Sequence, residues 1–375
     1  MESRPDVIVT WLQNDYGQLG RAGESVAHAL QASGLARQVA YVEPNEGGGG
    51  PPSLDAIDDG GLHVYRRRGA EVPGDDVADA VIRTSGLRDP VLLNFGVAEA
   101  NWWHHHAFGP RCATTALVTH DLLHLWPGMD PARSARLEKI RRLLVAGSDV
   151  VVGLSTGAIA DVDDAHYVGH GCDSGLADDA VEDRPEPADL AAIARPRALY
   201  FGALSVRIDA GALAALAASG VHVVLVGFSP APAVAELIDS HPNVHFLGPR
   251  PPAQSPAYLR HCDVGIVPHT DEAFTWSMEP HKVYNYACAG IRSVLLNCAC
   301  PEALVDVATS TTDAEAFVAA VRTALRAGRL STEERHRAQG ITWTSVGARI
   351  LTAVGRAPEA PPSGAAPAPT LTGVR

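Results

Sequence analysis

The chain has 375 residues, 46% hydrophobic and 19% charged, with 30 Lys+Arg against 43 Asp+Glu. That length suggests two domains that each bury a core, and the apolar content excludes disorder over most of the chain. A net charge of −13 argues against a broad nucleic-acid footprint, no apolar run reaches the length of a membrane span, and the opening residues form no signal peptide.

Cys112, Cys172, Cys262, Cys288, Cys298 and Cys300 contain no C-x-x-C pair. Buried thiols in a reducing cytoplasm are the expectation. Lys139 and Lys282 are the only lysines, so the remaining 28 basic side chains are arginine. This bias fits GC-rich coding and makes each lysine informative.

In chain order, strand-like runs occur at Val7–Trp11, Gln38–Val42, Val91–Phe95, Ala116–Thr119 and Asp149–Val152. A second set follows at Ala198–Phe201, Val221–Val226, Val244–Phe246, Val264–Val267 and Ser293–Leu296. Their β-branched residues run continuously rather than alternating, which predicts parallel strands covered on both faces. Leu137–Leu144 and Ala212–Ala218 carry helical patterns between them. The alternation predicts two doubly wound α/β domains. The first is expected over residues 1–180 and the second over 197–340. Residues 181–196, within the acidic and proline-bearing stretch Ala177–Pro196, are expected to link them. Gly47–Gly50 is expected to be a flexible surface loop, and the Pro/Ala-rich tail from Ala357 to be disordered.

Open parallel sheets bind ligands at the carboxyl ends of their strands, so a phosphorylated small molecule between two such domains is the expected class. In the first strand–loop–helix unit, Gly17, Gly20 and Gly23 are spaced G-x-x-G-x-x-G, and Glu43 closes the second strand. A dinucleotide site, with Glu43 on the ribose, is one reading; it lacks the G-x-G-x-x-G fingerprint. A glycine turn and close backbone approach to a diphosphate or sugar are two others.

The second half contains RPRALYFGALSVRID, VHVVLVGFSP, HPNVHFLGPRPPAQSPAYLRHCDVGIVPHT and MEPHKVYNYACAGIRSVLLN. These pieces, in this order, resemble the donor domain of the retaining GT-B-type glycosyltransferases, the large family that includes bacterial capsule-type and phosphatidylinositol mannosyltransferases. In the first half, GRAGESVAHALQASGL, ALVTHDLLHLW, SDVVVGLSTG and YVGHGCD resemble the family more loosely. TWTSVGARILTAV resembles its closing helix, which implies that residues 341–356 return to the first domain.

The resemblance implies two Rossmann-like domains facing a central cleft and transfer of a sugar, with retained configuration, from a nucleoside-diphosphate sugar. Lys282, behind Pro280 at a helix start, would bind the diphosphate with Arg207 after the first donor-domain strand. His120 would lie near the transferring sugar. Gly17, Gly20, Gly227, Arg250, Glu279 and His281 are the further donor-binding candidates. Asn285 stands where the family usually carries a ribose-binding glutamate and loses its charge-assisted strength. Asp121, His124, Trp102 and Trp103 are candidates on the acceptor side, and His104–His106 adjoin the tryptophans. His120 and His124 have no third partner at zinc-site spacing and no D-x-D loop stands before the cleft to hold a metal, so no metal and no cofactor beyond the UDP-, GDP- or dTDP-sugar substrate is expected.

The acidic surface favours a soluble, secondary-metabolite-like acceptor over a lipid at an anionic membrane. A homodimer remains open. The rival readings are a non-catalytic partner of another transferase, motivated by Asn285, a nucleotide-sugar epimerase and a dinucleotide oxidoreductase.

Overall fold

A computed structural model describes residues 4–11, 22–45, 53–68, 75–173, 176 and 184–356. The chain divides into two compact units: residues 1–124, 129–171 and 343–375, and residues 125–128 with 172–342. The Gly47–Gly50 loop, Gly17, Gly20 and the tail from Ala357 lie outside the described residues.

In the first unit the strands are β1 (Asp6–Thr10), β2 (Gln38–Asn45), β3 (Ser53–Asp59), β4 (Leu62–Arg68), β5 (Val91–Phe95), β6 (Thr114–Thr119), β7 (Val150–Gly153) and β8 (His166–Tyr167). Among the described residues they form one sheet in the order β3-β4-β2-β1-β5-β6-β7-β8, parallel except for the antiparallel β3–β4 pair. β1 shows why the sequence reads as continuously apolar. Val7 and Val9 pack with Val26 and Leu30 of helix Ala22–Ala32 and with Ile350 and Leu351 of helix Trp343–Ala353. Ile8 turns to the opposite face, with Val81 and Phe108 from helices Asp75–Thr84 and Glu99–Phe108. Each fully buried aliphatic side chain contributes about 1.5–3 kcal/mol.

Glu43, the carboxylate of the dinucleotide reading, is buried on β2 and paired with Arg66 of the neighbouring strand at 2.8 Å and 3.2 Å. Receiving a ribose would require Glu43 to give up this pair. The oxidoreductase reading loses its anchor here.

The second unit holds β9 (Arg197–Phe201), β10 (His222–Val226), β11 (Val244–Gly248), β12 (Val264–Pro268), β13 (Ser293–Leu296) and β14 (Ala308–Thr311). Its order is β11-β10-β9-β12-β13-β14, and every described pairing is parallel. Alternate residues again feed two cores: Leu199, Val224 and Leu295 on one face, Ala198, Val223 and Val294 on the other. From Arg184 onward the stretch between the two sequence halves is packed into this unit. Leu190 and Ile193 join its core, Glu186 pairs with Arg197, and Asp189 pairs with Arg250.

Chain order runs outward from β9 to β10 and β11, then returns to β12 on the other side. The strand order therefore reverses between β9 and β12, and a crevice at their carboxyl ends is the expected ligand position in a doubly wound sheet. Gly202 follows β9 and Gly227 follows β10. A Cβ on Gly227 would lie 1.8 Å from the Gly202 carbonyl oxygen, so these two turns approach closer than any side chain permits. Gly202 itself has φ +145°, which an L side chain rarely adopts. Gly227→Ala is accordingly expected to destabilise the chain by about 3 kcal/mol or more, measured by urea denaturation. An unchanged midpoint would contradict this packing.

Candidate functional site

The site is built on the ends of β9 and β12. Tyr286 fixes the helix Lys282–Cys288 against the sheet: its buried hydroxyl accepts the Phe201 N–H (3.2 Å) and donates to the Leu199 carbonyl (3.0 Å). Gly265 on β12 leaves room for that ring, since a Cβ there would meet it at 2.4 Å. One turn earlier on the same helix, Lys282 extends over Gly202. Its Nζ lies 3.8 Å from where a Gly202 Cβ would be and 4.8 Å from the centroid of the Tyr200 ring. Burial pushes the Tyr200 hydroxyl up to about 12, so it stays protonated and donates to the Ala203 carbonyl at 2.9 Å.

Arg207 lies in the segment after β9. Its guanidinium carbon sits 5.0 Å from the Trp126 ring and 5.6 Å from Phe274, and these two rings meet edge to face at 5.0 Å. Its nitrogens reach Ser205 Oγ and Met278 Sδ, both at 3.3 Å. No described carboxylate pairs with it. Aromatic caging contributes about 0.5–2 kcal/mol and orients the cation without neutralising it. Nothing in the sequence singles out Trp126 or Phe274. Trp126 precedes Arg207 by some 80 positions, and only the chain's path brings it here.

His269 follows β12 and bridges Ile208, next to Arg207. Its side chain is 0% exposed and neither ring nitrogen has a hydrogen-bond partner. Burial, Lys282 and then Arg207 hold its pKa well below the usual histidine value, so it is neutral beneath the two cations. Asn297 donates to its carbonyl at 3.1 Å.

The other candidates in this unit divide into two groups. His281 and Asn285 stay beside Lys282 and share a partner, Asp173, at 3.5 Å from His281 Nε2 and 2.8 Å from Asn285 Nδ2. Glu279 is only 4% exposed, and its carboxylate accepts the Tyr284 hydroxyl. Arg250 pairs with Asp189 at 2.6 Å and donates to Tyr258 at 2.7 Å. That network joins its guanidinium to the stretch before β9. Gly227 serves the backbone contact with Gly202 described above. Asp209 accepts the Ala212 N–H (2.9 Å) as the cap of helix Ala210–Ala218, worth about 1 kcal/mol.

In the first unit His120 stacks on Trp11, with ring centroids 5.5 Å apart, and lies 3.5 Å from Asp121. His124 is partly buried, and burial followed by the charge of Arg141 lowers its pKa. Trp102 packs edge-on to His106 at 4.0 Å while Trp103 is exposed. The histidine run forms part of helix Glu99–Phe108, which buries His104 and His105 and leaves His106 outward. Among the described residues no three His, Cys, Asp or Glu side chains gather around a common point, and no helix is long and apolar enough to cross a membrane.

His269, His105, His124 and His245 all have depressed pKa values, with burial the leading cause of each. Below about pH 6.5, the ordinary histidine value, the unfolded chain binds more protons than the folded one. Stability is therefore present above that pH and is lost as pH falls toward the folded values. Urea midpoints should decline from pH 7 to pH 5, and His269→Gln should flatten the slope by up to about 1.4 kcal/mol per pH unit. An equal slope in the variant would show that His269 titrates normally.

A sequence model described as "Glycosyl transferases group 1" matches residues 195–327, the segment carrying Gly202, Arg207 and Lys282. No curated protein matches the chain. Solved structures match it along nearly its whole length. The trehalose 6-phosphate synthase of Burkholderia multivorans is 13% identical, with TM-score 0.64, covering 94% of this chain and 98% of that one. HepE of Anabaena, solved in complex with UDP, is 14% identical with TM-score 0.60, covering 93% and 99%. AviGT4, a glycosyltransferase involved in avilamycin A biosynthesis, is 15% identical with TM-score 0.60, covering 94% and 97%. These likenesses establish the fold as the two-domain GT-B type, and residues 195–327 are similar to the group 1 glycosyl transferases.

Proposed function

We propose that the chain transfers a glycosyl group, with retention of configuration, from a uridine-diphosphate sugar to a soluble small-molecule acceptor. One observation carries the donor half. At the strand-order reversal, a caged arginine with no described carboxylate partner and the lysine of the Lys282–Cys288 helix accompany a glycine floor. Such an arrangement suits a diphosphate, because Arg207 offers a planar fork of donors and Lys282 a compact charge. The UDP-bound HepE structure and the E. coli relative bound to UDP-2-fluoro glucose support uridine as the base. The AviGT4 likeness supports an acceptor of the secondary-metabolite kind.

In the reaction the bond between the anomeric carbon and the β-phosphate oxygen breaks, and negative charge grows on the leaving diphosphate. Arg207 and Lys282 stabilise that charge more in the transition state than in the ground state, which accelerates transfer without a bound metal. The acceptor oxygen bonds to the anomeric carbon on the face the diphosphate leaves, and its proton passes to the departing phosphate oxygen. His120 is assigned to the transfer step rather than to nucleotide binding.

Release of UDP from UDP-sugars, with calorimetric binding of UDP, GDP, ADP and dTDP, tests this reading. Lys282→Ala and Arg207→Ala should each lower turnover by about 10²–10³-fold and weaken UDP binding. His120→Ala should lower turnover while UDP still binds. Failure of the wild type to bind any nucleoside diphosphate would reject the transferase in favour of a non-catalytic partner, the reading that Asn285 motivates.

A further inference from the structure

Gly23, the last glycine of the spaced run in the first strand–loop–helix unit, is shaped by a neighbour rather than by a ligand. It is the second residue of helix Ala22–Ala32, and a Cβ there would lie 2.8 Å from Cε3 of Trp11. The bare backbone lets the indole, only 1% exposed, come in under the helix start. Trp11 follows β1, and its ring meets Phe95 of β5 edge to face with centroids 6.2 Å apart. Beyond β5 it reaches His120, which follows β6, and stacks on that ring with the planes 19° apart.

His120 has little else to fix its ring. Its Nδ1 is buried and has no hydrogen-bond partner among the described residues. Its Nε2 faces Asp121 at 3.5 Å, beyond ordinary hydrogen-bond length. The second side-chain torsion of histidine is broad and roughly two-fold, so without a firm hydrogen bond the plane is set by what lies on its faces. Trp11 supplies such a face. At 5.5 Å between centroids the stack falls in the favourable range for aromatic pairs. The His120 side chain is still 11% exposed, so the ring is held while part of it stays accessible.

We infer that Trp11 is a positioning residue for the transfer step: seated by Gly23 and stacked on His120, it holds the imidazole plane in one orientation. This inference rests on the assignment of His120 to transfer made above. Orientation matters there because a hydrogen bond weakens steeply off its axis, and a group misplaced by about 1 Å can cost on the order of 10²-fold in rate.

Steady-state release of UDP from a UDP-sugar, with calorimetric UDP binding, tests it in Trp11→Leu, Trp11→Phe and Gly23→Ala. Trp11→Leu removes the aromatic face and should lower kcat about 10–100-fold while KM and UDP affinity stay within about twofold. Trp11→Phe, which keeps a ring, should recover most of that loss. Gly23→Ala displaces the indole from its other neighbour and should lower kcat about tenfold in the same pattern. A second readout needs no turnover. In protein carrying isotope-labelled histidine, the His120 ring signal, identified by its loss in His120→Ala, should lie upfield in the wild type and move back in Trp11→Leu. The remaining histidine signals report an intact fold. Wild-type kcat in Trp11→Leu, equal kcat in the Leu and Phe variants, or a His120 signal that Trp11→Leu leaves in place would overturn the positioning role and leave the donor site standing. Unchanged turnover in His120→Ala would reject the assignment on which the inference rests, and the inference with it.

Discussion

The architecture of the second unit depends on the contact between two backbones. Gly227 passes the Gly202 carbonyl so closely that a single methyl group could not fit between them. Because neither glycine carries a side chain, the peptide groups of Gly202 and Gly227 at the carboxyl ends of β9 and β10 lie bare. Lys282 can lie across them, and a ligand can approach peptide groups directly. Tyr286 then holds the helix bearing Lys282 at the correct height by bonding to the backbone of β9 itself. Close packing of glycine and tyrosine thus becomes the placement of a charge.

Among the described residues, no carboxylate pairs with Arg207 at this site. Elsewhere the chain pairs its arginines freely: Arg197 with Glu186, Arg250 with Asp189, Arg292 with Glu334. Arg207 instead is caged by Trp126 and Phe274, which fix its direction while preserving its positive field. Beneath it His269 is kept neutral by burial and by the two cations, so it adds no competing charge. A cation that stays unneutralised before substrate arrives is preorganised for the charge that develops on a leaving group.

Much of this was legible in the sequence, and the physical reasons are specific. Strands such as β1, β10 and β13 are covered on both faces, so their apolar runs stand out without structural knowledge. β3 was hidden because SLDAIDD is a polar sheet edge, antiparallel to β4, with little apolar pattern to see. Lys282 was visible because lysine is rare here and a proline marks the helix start. Arg250 and Glu279 stood out by sequence position, and the structure adds their partners Asp189 and Tyr284, which carried no such signal. Glu43 was misleading for the same reason, being paired with Arg66. Trp126 ends the segment ALVTHDLLHLW, but its place over Arg207 comes only from a contact with a residue far along the chain.

The donor-site chemistry turns on where the diphosphate sits, and a crystal structure of the chain grown with UDP would show it. The diphosphate is expected to lie over the Gly202–Gly227 turns, with its oxygens within hydrogen-bond reach of Lys282 Nζ and the Arg207 guanidinium. UDP bound away from this floor, with Arg207 and Lys282 making no contact to phosphate, would contradict that placement.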